Sequence, residues 1–266
     1  MSDLAMNDGR TIPAIGFGSY LVPPDQAERI ARDAVAAGYR LADTAALYAN
    51  EAEVAAGIEG HDVFLTTKLW RSELGHDSAL RGFDASLARL GRTSVDLYLI
   101  HWPVPSKGLF VETWKALVRL HGEGRARSIG VSNFGADDIR AIADATGVVP
   151  ALNQVELHPA FQQRELRAFH AAHGIVTQSW APLGQGSLLG APAIERVALK
   201  HEATPAQAIL AWHRQHGLGT IPKASSPARL AENLASLSLT LDPGDMAAID
   251  ALDDPGGRMG PDPARM

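Results

Sequence analysis

Cysteine is absent from the chain, which excludes disulfides, thiolate nucleophiles and Cys-bearing zinc sites. No Lys/Arg-rich run occurs, and the net charge is -6 with a pI of about 5.9. There is no bulk basic field to hold nucleic acid. The longest uncharged stretch, Gly174 to Ile194, is broken by Pro, Gly and Gln, a poor pattern for a membrane span. The N-terminal MSDLAMNDGR lacks the charged-then-apolar order of a signal peptide. These absences lead us to expect a cytoplasmic protein with no nucleic-acid or membrane partner. No linker-like or low-complexity segment divides the 266 residues, so one domain over residues 1–266 is expected.

What is present is a repeating alternation. Short apolar or β-branched runs start at Ala14, Arg40, Val63, Val95, Ala126, Ala151, Ile175 and Gly219. Each is too short for a helix and is bounded by turn residues. Amphipathic segments fill the gaps. The first, Asp25 to Gly38, opens with an aspartate that can cap it and closes with a glycine. Eight strand-helix units imply parallel strands with crossover helices, and eight is the number that closes a (β/α)8 TIM barrel of about 250 residues. Asn7-Asp8-Gly9 predicts a β-hairpin ahead of the first unit, placed to plug one end of the barrel. An open doubly wound sheet is the rival architecture, but it usually carries a Gly-rich phosphate loop after its first strand. Here Leu21 stands where a third glycine would follow Gly16 and Gly18.

In such a barrel the active site gathers at the C-terminal strand ends. The second, third and fourth runs end in Asp43, Lys68 and His101, and Ser132-Asn133 follow the fifth. Asn153, Gln154 and Glu156 lie in the sixth, Trp180 ends the seventh and Lys223 the eighth. Singly, each has an ordinary role open to it: Asp43 as a cap, Lys68 as a solvated or paired cation, Tyr48 as a packing aromatic. Among the histidines, His158, His170 and His173 hint at a metal, but His170 and His173 are expected on a charged, solvated helix. No metal is expected.

Together, Asp43, Tyr48, Lys68 and His101 make a coherent set. A tyrosine hydroxyl has an ordinary pKa of about 10, and a nearby ammonium should lower it. Asp43 would hold Lys68 in place, and His101 would orient a carbonyl oxygen beside the tyrosine. That is an oxygen site with a proton donor. The chemistry then needs a hydride source, which a nicotinamide cofactor supplies and no side chain can. Asn133 and Gln154 suit a carboxamide, and Trp180 offers a stacking face. Lys223 and Arg229, at a helix start, suit a phosphate monoester.

The segments GFGSY, DTAALYANE, TTKLW, DLYLIHWP, SIGVSNF, NQVELHP, SWAPLGQGS and IPKASSPARLAENL run in order from about Ile12 to Asn233. In these the chain resembles the aldo-keto reductase family, and within it the short prokaryotic 2,5-diketo-gluconate reductases. The resemblance implies a monomer that reduces a small-molecule aldehyde or ketone to an alcohol with NADPH. It implies Tyr48 as general acid within the tetrad Asp43, Tyr48, Lys68 and His101. It implies that Ser132, Asn133 and Gln154 bind the nicotinamide amide, that Trp180 stacks on its ring, and that Leu183, Gln185 and Ser187 line the pyrophosphate. Lys223, Ser225, Arg229, Glu232 and Asn233 would hold the adenosine 2'-phosphate end, and Tyr20, Trp102 and Phe134 would surround the substrate. Ala224 stands where many members carry serine, which leaves NADH use open. Two other readings remain: a Schiff-base aldolase using Lys68, and a cofactor-binding barrel with a regulatory duty and no turnover.

Overall fold

The computed structural model describes residues 3–266. Strands β1 (Asp3–Ala5) and β2 (Thr11–Pro13) form the expected antiparallel hairpin. Its turn is closed by Met6 N–H donating to the Arg10 carbonyl at 2.8 Å, with Gly9 at φ +86°. Eight parallel strands follow in chain order: β3 (Phe17–Gly18), β4 (Leu41–Asp43), β5 (Phe64–Leu69), β6 (Val95–Ile100), β7 (Ala126–Ser132), β8 (Leu152–Glu156), β9 (Val176–Trp180) and β10 (Gly219–Thr220). A parallel bridge pairs Ile15 with Thr220, and Gly16 N–H donates to the Thr220 carbonyl at 2.8 Å. The sheet curls until its two ends meet, as the (β/α)8 expectation requires. The last strand is shorter than the sequence suggests. Pro222 has no N–H for the ladder, so the run does not reach Lys223 as strand.

The helices are α1 (Pro24–Ala37), α2 (Glu51–Gly57), α3 (His76–Leu90), α4 (Phe110–Gly122), α5 (Ala136–Thr146), α6 (Arg164–Ala172), α7 (Pro192–Lys200), α8 (Pro205–Gln215), α9 (Pro227–Ala235) and α10 (Pro243–Asp250). Asp25 does not cap α1. Pro23 is the N-cap and Pro24 the first helical residue, so fixed φ values start the helix without a side-chain bond. Gly38 ends it in the left-handed conformation at φ +106°, as expected.

Alternation along the strands sorts residues between two environments. Leu41, Leu97, Leu99, Leu152 and Val176 form one buried cluster with Met6 and Ile12 of the hairpin. Asn7 of the hairpin turn donates to the carbonyl of Pro150, just ahead of β8, at 3.0 Å. The hairpin therefore closes the end where the strands begin. Two residues beyond these apolar positions, on the same inward face, stand Asp43, His101, Gln154 and Gln178. The interior is apolar at the plugged end and polar at the open one. Outward residues such as Leu65, Leu69, Tyr98, Ile100, Ile129 and Val131 pack under α1 to α5. A further cluster with Ile194, Ile209 and Trp212 lies under α7, α8 and α10.

His170 is not on a solvated face. It is buried, with Asn153 Nδ2 donating to its Nε2 at 3.0 Å and its Nδ1 meeting Thr177 Oγ1 at 2.9 Å. His213 is buried between the Ser179 hydroxyl and the Pro182 carbonyl. Burial, more than any neighbouring charge, lowers His170 to about 4 and His213 to about 3. An unfolded histidine titrates near 6.5. Both folded values lie below that, so their contribution is intact at neutral pH and is lost as pH falls from about 6.5 toward 4. Urea unfolding at pH 7.5 and pH 5 should show a loss of up to about 2 kcal/mol per histidine at the lower pH. Equal midpoints at the two pH values would contradict this.

Candidate active site

The three-residue β4 delivers Asp43 to the open end of the barrel, level with Thr66 of β5. Lys68 lies two residues further along β5, on the same face. Lys68 Nζ donates to Asp43 Oδ1 at 2.5 Å and to the Thr44 carbonyl at 2.9 Å, with a longer contact of 3.4 Å to Tyr48 OH. Neither charged side chain is exposed by more than 2%. The other Asp43 oxygen accepts from Gln154 Nε2 at 2.8 Å. Burial raises the Asp43 pKa and lowers that of Lys68, and each charge opposes this for its partner. Three acceptors around Nζ match the three donors of an ammonium, and we assign the pair as ionised.

Tyr48 sits on a single 3-10 turn, Ala46–Tyr48, between Asp43 and α2. Asn50 anchors that turn. Its amide donates to the carbonyls of Ser19 and Val22, both at 3.0 Å, and its oxygen accepts from the Thr44 hydroxyl at 2.9 Å. The phenol ring lies 4.9 Å from Lys68 Nζ, edge-on to His101 with centroids 5.7 Å apart. The expectation that the lysine lowers the tyrosine pKa does not hold. Burial first, then the charges of Asp43 and Tyr20, push the phenol well above its ordinary value, because the carboxylate bound to Lys68 offsets the ammonium. The phenol therefore keeps its proton. Lys68 donates toward the phenol oxygen, which turns the phenol's own hydrogen outward, away from Nζ.

His101 follows β6 and is buried. Burial and then the Lys68 charge hold it well below the ordinary histidine value, so it is a neutral ring. Its Nδ1 is buried without a hydrogen-bond partner among the described residues. The ring proton then belongs on Nε2, the nitrogen left to meet a ligand.

Ser132, Asn133, Gln154 and Trp180 also converge. Asn133, at φ +64°, donates through Nδ2 to the His101 carbonyl at 3.0 Å and to Ser132 Oγ at 3.1 Å. Its Oδ1 accepts from Trp180 Nε1 at 2.8 Å. Ser132 Oγ donates to the Gln154 carbonyl at 2.8 Å, and Gln154 Nε2 also reaches Gln178 Oε1 at 2.7 Å. The amide donors are thus committed within the protein. Gln154 Oε1, and the second lone pair of Asn133 Oδ1, are left to accept from a ligand's amide N–H. Trp180 is half-buried, its indole held by that bond to Asn133.

Gln185 and Ser187 are exposed in the loop after β9, where Gln185 takes φ +52°, while Leu183 packs into the core. Lys223 and Arg229 are exposed at the start of α9, capped by Ser226, and neither pairs with a carboxylate among the described residues. Two uncommitted cations at a helix N-terminus suit a phosphate. Ser225 and Glu232 are half-buried beside them, whereas Asn233 is buried one turn further on and Ala224 is core. Around the mouth, Tyr20 is 54% exposed and lies tilted at 54° against Tyr48, with ring centroids 5.1 Å apart. Trp102 is nearly buried behind His101. Phe134 is fully buried edge-on to Phe110 and offers the mouth little surface. Sequence reasoning missed Trp70, half-buried 5.2 Å from His101, and the anchoring role of Asn50. Both stand next to residues it did select, at the end of a strand and of a turn.

The family model described as Aldo/keto reductase family matches residues 14–254. An aldo-keto reductase from Mycobacterium sp. (strain KMS) is 51% identical over 265 residues, covering 98% of this chain and 96% of the relative. Morphine 6-dehydrogenase of Pseudomonas putida is 42% identical over 97% of this chain and 93% of its own length. A crystal structure of a Gox0644 variant in complex with NADPH superposes with a TM-score of 0.98 at 52% identity, covering 100% of this chain and 98% of that one. With the barrel, the buried Asp43–Lys68 pair and the adjoining Tyr48 and His101, these matches establish that the chain belongs to the aldo/keto reductase family.

Proposed function

We propose that the protein reduces an aldehyde or ketone to an alcohol with NADPH, using Tyr48 as general acid. The observation that carries the reading is the juxtaposition of the Tyr48 hydroxyl, the paired Lys68 ammonium and neutral His101 at one barrel mouth. NADPH, when bound, supplies the hydride; the NADPH complex of a relative of 52% identity supports that choice. The chain's own residues handle the oxygen. His101 Nε2–H orients the carbonyl by a hydrogen bond. Tyr48 holds its proton until negative charge develops on that oxygen, then gives it up. An alkoxide is about as basic as hydroxide, whose conjugate acid has a pKa of about 15.7, and that basicity draws the proton from the phenol. The Lys68 ammonium stabilises the phenolate left behind.

Trp180 supplies a stacking face, oxygens of Asn133 and Gln154 orient the carboxamide, and Lys223 with Arg229 hold the 2'-phosphate. Tyr20, Trp70 and Trp102 give the mouth an aromatic rim suited to an apolar carbonyl. A Schiff-base role for Lys68 lacks such support, since a nucleophilic amine needs a free lone pair and all three N–H directions of Nζ are taken. We infer further that residues 1–266 work as one barrel domain, as a cytoplasmic monomer. No helix among the described residues is long and apolar enough to cross a membrane.

Tyr48→Phe should cut kcat for a carbonyl substrate by at least about 100-fold, the scale of a lost general acid. NADPH affinity should stay within about threefold. Unchanged turnover would remove Tyr48 from the chemistry. Arg229→Ala should weaken NADPH by about tenfold, the scale of one charge-assisted hydrogen bond, and leave NADH affinity unchanged. Equal losses for the two cofactors in a binding titration would place the 2'-phosphate elsewhere.

A further inference from the structure

Glu156 ends β8 at the barrel mouth with its side chain fully buried, and neither the tetrad nor the proposed cofactor set uses it. Its carboxylate is nonetheless well provided for. Oε1 accepts from Met259 N–H at 2.6 Å and Oε2 from Gly260 N–H at 3.0 Å. His158 Nε2 lies 3.3 Å from Oε1. Burial pushes this carboxyl up, but the hydrogen bonds from His158, Met259 and Gly260 outweigh it and hold the group ionised. The partners on the far side belong to the C-terminal tail, more than 100 residues away in sequence.

The latched segment is pressed against the indole. A Cβ added to Gly260 would lie 2.5 Å from Trp180 Cη2 and 2.9 Å from Glu156 Oε2. No side chain fits between the latch and the ring. Glu156 and Trp180 are also direct neighbours across β8 and β9. The indole is therefore fixed at two points: its Nε1–H on Asn133 Oδ1, and its outer edge on the Gly260 backbone. Beyond Gly260 the tail reaches the loop after β6, where Ser106 N–H donates to the Met266 carbonyl at 3.4 Å. Asn133, Phe134 and Glu156 share the walls of a cavity of about 200 Å³ with Asp262, Pro263 and Ala264 of the tail.

We propose that Glu156 is a positioning residue for nicotinamide binding: through Met259 and Gly260 it holds the Trp180 indole in its stacking plane. The inference rests on the reading of Trp180 as the stacking residue. It assigns the tail a second duty, as a brace for the cofactor face.

The test is NADPH titration of full-length protein by tryptophan quenching, with steady-state kinetics and thermal unfolding alongside. Glu156→Gln keeps the shape but turns one acceptor into a donor facing a tail N–H. Gly260→Ala keeps the carboxylate and sets a methyl group against the indole and, less closely, against Glu156 Oε2, so it serves if the buried substitution fails to fold. Each should raise the NADPH Kd and KM about tenfold, the scale of losing a hydrogen bond to a charged group, with kcat at saturation changed much less. In a Trp180→Phe background, where Cη2 is gone, Gly260→Ala should raise Kd less than about twofold, as coupled neighbours are non-additive. A lowered thermal midpoint with unchanged Kd in both variants would overturn the proposal, leaving a structural clamp. So would equal Gly260→Ala effects in the two backgrounds. If the unaltered protein binds no NADPH, the cofactor reading itself falls and takes the proposal with it.

Discussion

One buried ion pair organises the open end of this barrel. Asp43 and Lys68 are both removed from water, and neither charge is tolerable alone in that place. Such a pair is poor evidence for added stability, because desolvation cancels much of the attraction; removing one partner typically costs about 3–5 kcal/mol. Its value is geometric. A carboxylate with two fixed partners and an ammonium with three leave little freedom. Tyr48 and Gln154, which contact the pair, inherit that order.

The order spreads by contact. Gln154 reaches Gln178, and Ser132 caps the Gln154 carbonyl. Asn133 ties Ser132 to His101 and to Trp180. Every member stands in the C-terminal half of a strand or just past its end, counting the central Gln154 and Gln178, so a parallel barrel brings them together although they are scattered over more than a hundred residues. The hairpin plug and apolar interior beneath them keep the other end dry. Asp43, Lys68, His101 and Gln154 are thereby gathered at the mouth, where a low local dielectric strengthens each interaction.

Much of this was legible because period and chemistry coincide. The eight β-rich runs are short and bounded by turns, and each reappears as a strand or a bridge. Asp43, Lys68 and His101 stood out as polar endings to apolar runs, which is what an inward face looks like when it meets the mouth. The failures have physical causes. His170 sits in a charged helix, and sequence does not show that its one inward position meets Asn153 and Thr177. The direction of the Tyr48 shift depends on how fully Asp43 offsets Lys68, a matter of distances. The tail's role was hidden because backbone N–H groups and a missing Cβ carry it, and neither has a side-chain signature.

The central claim is that Lys68 is a fixed ammonium, held between Asp43, Thr44 and Tyr48. With five lysines in the chain, side-chain nitrogen NMR of lysine-labelled protein at pH 7 tests it directly. One slowly exchanging ammonium signal, coupled to three protons, is expected, and it should be absent from Lys68→Met. A neutral amine at Lys68, or an ammonium exchanging as fast as the four other lysines, would contradict it.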